Sequence, residues 1–100
     1  MRNFRTFNLA VQFYRQCRRL QLKGELRSQL DRASSSIALN LAEARGKSSQ
    51  RDQLKFFDIA MGSVRESQGI LILGELDQHE AWQTLDHLAA SLYRLIQSNR

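Results

Sequence analysis

The stretch from Arg32 to Glu66 most constrains how this chain folds, because one helical pattern of apolar residues ends within it and a second one begins. Apolar residues recur at spacings of three and four until a glycine at position 46 stops the pattern. Ser49 and Asp52 then have the spacing of a capping box, in which each side chain can bond a free backbone N–H. The stretch therefore predicts a helix, a glycine turn and a second, capped helix.

The helix before this turn has two faces of different character. At about 100° of rotation per residue, the larger apolar residues fall on one face as a core stripe. These are Leu26, Leu30, Ala33, Ile37, Leu41 and Ala44. The opposite side carries mostly small residues, namely Ser35, Ala38, Leu39 and Ala42. Small side chains allow close approach, so we predict a partner there, either another helix of the chain or a neighbouring subunit.

Helical periodicity also occurs on both sides of this stretch. A first helix is predicted from about Asn3, a candidate cap, to Leu20. A turn over residues 21–24 follows, with Gly24 left-handed, and the second helix is predicted to begin near Glu25. The core stripe of the first helix is Phe4, Phe7, Ala10, Val11, Tyr14 and Cys17, widened by Phe13. A fourth helix is predicted after a turn near residue 74, with Asp77 and Glu80 as a cap-like pair. Its stripe is Ala81, Leu85, Leu88, Leu92 and Leu95, with Trp82, Ala89 and Ile96 beside it.

The third helix combines a bundle seam with two glycines. The seam is Leu54, Phe57, Met61, Val64, Gln68 and Leu71, and Phe56, Ala60 and Ser63 are predicted to widen this buried face. Gly62 and Gly69 each cost a helix interior roughly 1 kcal/mol relative to alanine, so we predict that another helix packs closely against them. With no proline and 42% apolar residues, residues 1–100 are predicted to form one all-α domain. We predict an antiparallel up-down-up-down four-helix bundle that assembles into a homo-oligomer.

The central stretch also matches the residue pattern of a known family. The matching positions are Arg32, Ala33, Ser35, Ser36, Ile37, Asn40, Leu41, Ala42, Glu43, Gly46, Lys47, Ser49, Asp52, Phe56, Ile59, Ala60, Gly62, Ser63 and Glu66. In this order they resemble the bacterial four-helix-bundle proteins encoded by intervening sequences in 23S ribosomal RNA genes. The accessory variability proteins of diversity-generating retroelements are distant relatives of that family. Ala38 and Ala44 depart from the pattern, where the family commonly has proline and glycine.

The resemblance implies a four-helix bundle that often forms a ring-like homo-oligomer, with a pentamer as one candidate state. It implies no catalytic residues. It implies structural roles for the family-motif residues Arg32, Ser36, Asn40, Glu43, Gly46 and Gly62. By analogy, the genetic association of the family with ribosomal RNA genes and retroelements favours a nucleic-acid partner.

Composition restricts where the protein acts. No apolar run approaches the roughly 20 residues that a membrane-spanning helix needs, so no membrane role is predicted. The N-terminus carries charges on both sides of a broken apolar pattern, unlike a signal peptide. Cys17 is the sole cysteine and cannot form an internal disulfide. These features predict a cytoplasmic protein in which Cys17 is a small buried apolar residue rather than a nucleophile.

The formal net charge of +5 is unevenly distributed along the chain. Residues 1–55 contain 12 basic and 4 acidic side chains, giving +8, whereas residues 56–100 contain 3 and 6, giving −3. A basic half can attract phosphates over long range, although basic side chains also simply solvate helix surfaces. The predicted phosphate-directed surface consists of Arg18, Arg19, Lys23, Arg27, Arg45, Lys47, Arg51 and Lys55.

Motifs for nucleotide or metal binding are incomplete in this chain. Gly46 and Lys47 resemble the end of a phosphate-binding loop, but Leu41 occupies the position of its first glycine. His79 and His87 are eight residues apart, too far for a metal pair on adjacent helical turns, and there is no cysteine cluster. We therefore predict no metal and no cofactor.

The remaining polar residues predict binding rather than catalysis. Asn40 and Glu43 could share a helix face, and we predict a structural hydrogen bond to a neighbouring helix end rather than acid–base chemistry. The predicted function is a non-enzymatic oligomeric binding module that contacts structured RNA or DNA through phosphate-directed basic side chains. The alternative is a protein-interaction scaffold without a nucleic-acid role. Its basic half would dock an acidic partner, such as a reverse transcriptase or a ribosomal factor.

Overall fold

The computed structural model describes residues 2–100, with side chains from Arg5 onward, and it consists of four helices. They are α1 (Arg2–Arg18), α2 (Gly24–Arg45), α3 (Gln50–Leu73) and α4 (Glu80–Ser98). Residues 2–100 contain no strand, so the all-α prediction is confirmed. The predicted cap at Asn3 and the predicted core position at Phe4 lie outside the described side chains.

The four helices pack as a bundle around one apolar core. α1 contacts α2 and α4, and α3 contacts the same two helices, so each helix has two neighbours. The bundle measures 40 × 21 × 18 Å. At one end, Thr6 Oγ1 and Ser91 Oγ hydrogen-bond at 2.5 Å, and Asn99 Nδ2 donates to Gln53 Oε1 at 3.2 Å. These bonds place the end of α4 beside the starts of α1 and α3.

Burial confirms the predicted core faces of α2 and α4, except that Leu26 of the α2 stripe is only half-buried. The buried apolar side chains of these two helices are Leu30, Ala33, Ile37, Leu41, Ala44, Ala81, Leu85, Leu88, Leu92, Leu95 and Ile96. In α1, Phe13 is completely buried, whereas Val11 and Tyr14 are only half-buried. The core face of α1 is therefore centred on Phe13, which was predicted to lie beside the core stripe.

The buried face of α3 is rotated away from the predicted seam. Of the six predicted seam residues, three are buried, namely Phe57, Val64 and Leu71, and the other three are only partly buried. These partly buried residues are Leu54, Met61 and Gln68. Ala60, predicted to widen the face, is buried as expected, and Ser67 and Ile70 are buried in addition. α3 contacts α2 more extensively than α4, which turns its buried face toward α2. The spacing of apolar residues along α3 does not indicate which neighbouring helix α3 contacts more extensively.

The helix starts are capped by different side chains. Ser49 caps α3 as predicted, because its Oγ accepts a hydrogen bond from the backbone N–H of Asp52 at 3.1 Å. Among the described residues the reciprocal bond of the capping box, from the Ser49 N–H to the Asp52 carboxylate, is not formed. The predicted cap pair of α4, Asp77 with Glu80, is wrong. α4 begins at Glu80, so His79 occupies the cap position and its Nδ1 accepts from the Ala81 N–H at 3.0 Å.

Two glycines of α3 face away from the rest of the chain. A Cβ built on Gly62 or Gly69 meets no atom of a neighbouring element within 4 Å. The prediction that a helix packs closely on them is therefore wrong within one chain, since α2 and α4 contact other sides of α3. The turn predicted over residues 21–24 is confirmed, because residues 21–23 lie outside the helices and Gly24 has a left-handed φ of +60° at the start of α2.

Candidate nucleic-acid interface

Polar residues of the central stretch join α2 to α3. Ser63 Oγ donates to Ser36 Oγ at 2.9 Å, and the same Ser36 oxygen accepts from Asn40 Nδ2 at 3.0 Å. Asn40 Nδ2 also donates to the Ser36 carbonyl at 2.8 Å. One helical turn away, Arg32 pairs with Glu66 at 3.5 Å. These contacts position α3 on α2 and leave the turn between them at the end of the molecule.

Two of the family-motif residues act differently from the prediction. Asn40 bonds within its own helix rather than to a neighbouring helix end, because Ser36 lies one turn before it. Glu43 pairs with Lys47 at 3.7 Å instead of sharing a polar pair with Asn40. Gly46 ends α2 as predicted, with its N–H bonded to the Glu43 carbonyl at 3.1 Å.

The turn between α2 and α3 brings four basic residues together, and we call Arg45, Lys47, Arg51 and Lys55 the turn cluster. Lys47 Nζ lies 5.3 Å from the centre of the Phe56 ring, and Lys55 Nζ lies 5.9 Å from it. An aromatic face attracts ammonium groups, so this ring holds both lysines beside the start of α3.

The turn cluster also lies at the positive end of a helix dipole. Arg51 and Lys55 are exposed and one helical turn apart in the first two turns of α3. The partial positive charge of a helix N-terminus adds to the attraction for anions. Glu43 and the first-turn Asp52 offset part of this charge. The cluster can therefore attract a phosphate group, with the two exposed cations of α3 as its accessible part.

The other four residues of the predicted surface lie where α1 is joined to α2, namely Arg18, Arg19, Lys23 and Arg27. Among them, Arg27 has a structural role. Its guanidinium donates to the carbonyls of Cys17, at 2.9 Å, and Leu22, at 3.4 Å, and also to that of Leu20. It forms an ion pair with Asp31 at 2.9 Å. Arg27 therefore closes the connection between the two helices, and the prediction that it contacts nucleic acid is not supported by its geometry.

The eight predicted residues do not form one surface. Arg18, Arg19 and Lys23 are exposed at one end of the bundle, whereas the turn cluster lies at the other. Eighteen residues separate Arg27 from Arg45, and at a rise of 1.5 Å per residue the two ends are about 27 Å apart. The first group lies near the start of α2 and the turn cluster lies near its end, so the length of this helix separates them.

Sequence reasoning missed two separate clefts along α1. One, of about 380 Å³, is bordered by Arg5 and Arg94, and the other has a volume of about 390 Å³. The second is lined by Asn8, Val11, Gln12, Arg15, Gln16, Arg19 and Glu80. The sequence did contain a signal for a positively charged surface along α1, because this helix has no acidic residue.

Cys17 is a neutral, buried thiol. Burial raises its pKa from 9.0 to about 12, while the nearby Arg27 charge lowers it and the Asp31 charge raises it. A thiolate is the reactive form of cysteine, so the fold keeps this side chain inert at neutral pH. The prediction that Cys17 packs as a small apolar residue agrees with its complete burial.

We expect the Cys17 thiol to make the protein less stable at alkaline pH. Its pKa is higher in the folded state, so the unfolded chain loses the proton first and stability falls as pH rises above 9.0. The loss should reach about 2 kcal/mol near pH 10.5. The measurement is the urea midpoint at neutral and alkaline pH for the wild type and for Cys17→Ala. An equal pH dependence in both proteins would contradict the expectation.

The described residues offer no metal centre and no membrane span. No group of three His, Cys, Asp or Glu side chains among them is arranged to hold a metal ion. No helix in the same part of the chain is long and apolar enough to cross a membrane.

A comparison with protein families accounts for the pattern of the central stretch. The model of the 23S rRNA-intervening sequence protein family matches residues 4–98. The chain belongs to this family. The match extends well beyond residues 32–66, so the outer helices of this intervening sequence protein carry the family pattern as well. Neither a curated protein nor a solved structure matches the chain.

Proposed function

We propose that this intervening sequence protein is a non-enzymatic, oligomeric module that binds structured RNA or DNA through its phosphate-directed basic side chains. The observation that carries the proposal is the turn cluster, where Arg51 and Lys55 are exposed and adjacent at the start of α3. Contacts of this kind position a nucleic acid without reading its sequence. The family name links these proteins to ribosomal RNA genes, which favours RNA as the ligand.

The topology we propose is an antiparallel up-down-up-down bundle. Ser36 pairs with Ser63 while Arg32, one turn earlier, pairs with Glu66, one turn later, as expected for helices that run in opposite directions. The bond between Thr6 and Ser91 supports the same relation for α1 and α4. In this arrangement both ends of the bundle display basic side chains.

We further propose that the protein forms a ring-like homo-oligomer through the outer side of α2 and α3. Leu39 of α2 is 65% exposed and Ile59 of α3 is 44% exposed, so these two adjacent helices each present a large apolar side chain to solvent. Gly62 and Gly69 lie on the same outer side of α3 as Ile59 and allow another backbone to approach closely. A ring would repeat the turn cluster once per subunit and raise the avidity for a long nucleic acid.

The oligomer is tested by placing a charge on this outer side. The double variant Leu39→Glu/Ile59→Glu is expected to be monomeric, because each interface would have to bury unpaired carboxylates. Its helix content and melting temperature at low concentration should remain close to those of a dissociated wild type, since both side chains are exposed in one chain. Analytical ultracentrifugation over a range of concentrations measures the assembly state.

The matched control is Tyr93→Glu, which changes an apolar side chain of α4 that is 56% exposed. This variant should keep the wild-type assembly state. A wild type that sediments as a monomer at every concentration would refute the oligomer.

The nucleic-acid interface is tested by measuring the affinity for a labelled RNA hairpin as the salt concentration is varied. Arg51→Ala/Lys55→Ala should weaken binding about tenfold and lower the slope of log K against log salt by about two, because two phosphate contacts are removed. The control Arg65→Ala/Arg94→Ala removes the same charge from exposed positions of α3 and α4 outside the turn cluster. Equal weakening by both variants would argue against a specific site at the turn cluster. If the wild type fails to bind even at low salt, the basic ends are better explained as docking sites for an acidic protein.

A further inference from the structure

The aromatic ring of Phe56 lies beside the turn cluster with part of its surface open to solvent. Phe56 is half-buried and packs against the core from the second turn of α3. The next residue, Phe57, is 2% exposed and lies in the interior. Two consecutive phenylalanines therefore have different surroundings, and the ring at position 56 is the one that a ligand can reach.

The ammonium groups of two lysines show where the open part of this ring is. Lys47 Nζ lies over the Phe56 ring at 5.3 Å from its centre, and Lys55 Nζ lies at 5.9 Å. Lys55 is exposed, so the part of the ring near its ammonium group borders the solvent. An aromatic face that attracts a cation can also stack on the flat ring of a nucleobase. Lysine side chains are flexible, so a base can take their place over the ring.

Hydrogen bonds hold the turn beside the ring in a fixed arrangement. Gln53 Nε2 donates to the Lys47 carbonyl at 3.2 Å, and Gln53 Oε1 accepts from Asn99 Nδ2 at 3.2 Å. The Lys47 N–H donates to the Ala44 carbonyl at 3.1 Å. A surface that is arranged before its ligand arrives loses little conformational entropy on binding. The turn is therefore a preformed platform.

The cations beside the ring differ in their availability for phosphate. Lys47 is paired with Glu43 at 3.7 Å. Among the described residues, Arg51 and Lys55 form no ion pair. Phe56 follows Lys55 directly in the sequence. A nucleotide carries an anionic phosphate and a flat base on one sugar, so it can contact a free cation and the adjacent ring at the same time.

We propose that the turn cluster binds an unpaired nucleotide of a structured RNA, with its base stacked on the Phe56 ring and its phosphates on Arg51 and Lys55. The proposal rests on the proposed function and names the part of the RNA that this site recognises. In a duplex, both faces of each base are covered by its neighbours, so a duplex offers only phosphates to the cluster. Loops, bulges and single strands offer phosphates and unstacked bases together. Since every base has a flat face, this contact tolerates any sequence.

The test compares a labelled RNA hairpin that has an unpaired loop with a blunt duplex that has the same number of phosphates, at one salt concentration. The wild-type chain is expected to bind the hairpin about tenfold more tightly. Phe56→Leu keeps an apolar side chain against the core but removes the ring, so it should lose this preference while its affinity for the duplex stays unchanged. Phe56→Tyr keeps the ring and should keep the preference. Equal affinity of the wild type for the two RNAs would overturn the stacking contact.

The matched control is Phe57→Leu, the same substitution one residue later. The ring at position 57 is buried, so this variant should keep the wild-type preference for the hairpin. Equal loss of the preference in Phe56→Leu and Phe57→Leu would show that repacking of α3 causes the effect, and the stacking contact would be refuted.

Nuclear magnetic resonance of selectively labelled phenylalanine detects the stacked base itself. Ring protons that lie over the face of a base are shielded, so the Phe56 ring signals should move upfield when the hairpin is added. Phe56→Leu identifies these signals by their loss. Saturation with the hairpin that leaves the Phe56 signals in place would contradict the proposal.

The outcomes separate this inference from the proposed function. If Arg51→Ala/Lys55→Ala weakens binding while the wild type binds hairpin and duplex equally well, phosphate binding holds and the stacking contact fails. If the wild type binds neither RNA at low salt, both fail together.

Discussion

Replacing Arg27 with alanine is expected to lower the free energy of unfolding by about 3 kcal/mol, and the melting temperature by about 15 °C. Arg27 donates to the carbonyls of Cys17, Leu20 and Leu22, which lie at the end of α1 and in the turn after it. Without the guanidinium these carbonyls lose their donor in a half-buried site, and Asp31 loses its ion-pair partner. Urea unfolding followed by circular dichroism measures the loss.

Two further variants show whether geometry or charge causes this effect. Arg27→Lys keeps the charge but cannot reach several carbonyls at once, so it should recover less than half of the lost stability. Arg32→Ala removes an exposed arginine of the same helix, whose pairing distance to Glu66 is 3.5 Å, and should cost at most about 0.5 kcal/mol. Equal losses for Arg27→Ala and Arg32→Ala would contradict the capping role.

Truncating Phe57 to alanine is expected to lower the free energy of unfolding by about 4 kcal/mol, a larger loss than that expected for Arg27→Ala. Phe57 lies on α3, is 2% exposed and belongs to the core. The substitution removes a large apolar surface from the core and leaves a cavity that rigid helices cannot fully close. A domain of this size is stable by roughly 5 to 15 kcal/mol, so the variant should unfold near physiological temperature.

The control for this substitution is Phe57→Leu, which keeps much of the volume and should cost about 1.5 kcal/mol. Tyr93→Ala, at an exposed position of α4, should change stability by less than about 0.5 kcal/mol. Measurements belong at a concentration where the assembly state of all variants is the same, since association also stabilises a folded chain. A loss for Phe57→Ala no greater than that for Phe57→Leu would show that α3 does not depend on the aromatic ring.

The candidate interface was only partly predictable from the sequence. The turn cluster could be predicted because its members are close in sequence around one turn, where Lys47 and Lys55 lie near the Phe56 ring. Arg27 was assigned to the wrong role because its partners lie up to ten residues earlier, across a turn whose path the sequence did not specify. The cleft that Arg5 and Arg94 border could not be predicted, because these two residues are almost a full chain length apart in sequence.

The sequence by itself determined the four helices, most of their core stripes and the start of α3 at Ser49. Those features depend on spacings within one helix and on hydrogen bonds that span three or four residues. Only the tertiary structure decided which basic residues are neighbours, how α3 is rotated toward α2, and that Gln16 is left without a donor. These properties depend on how rigid helices pack side by side, which brings distant residues together and keeps near ones apart.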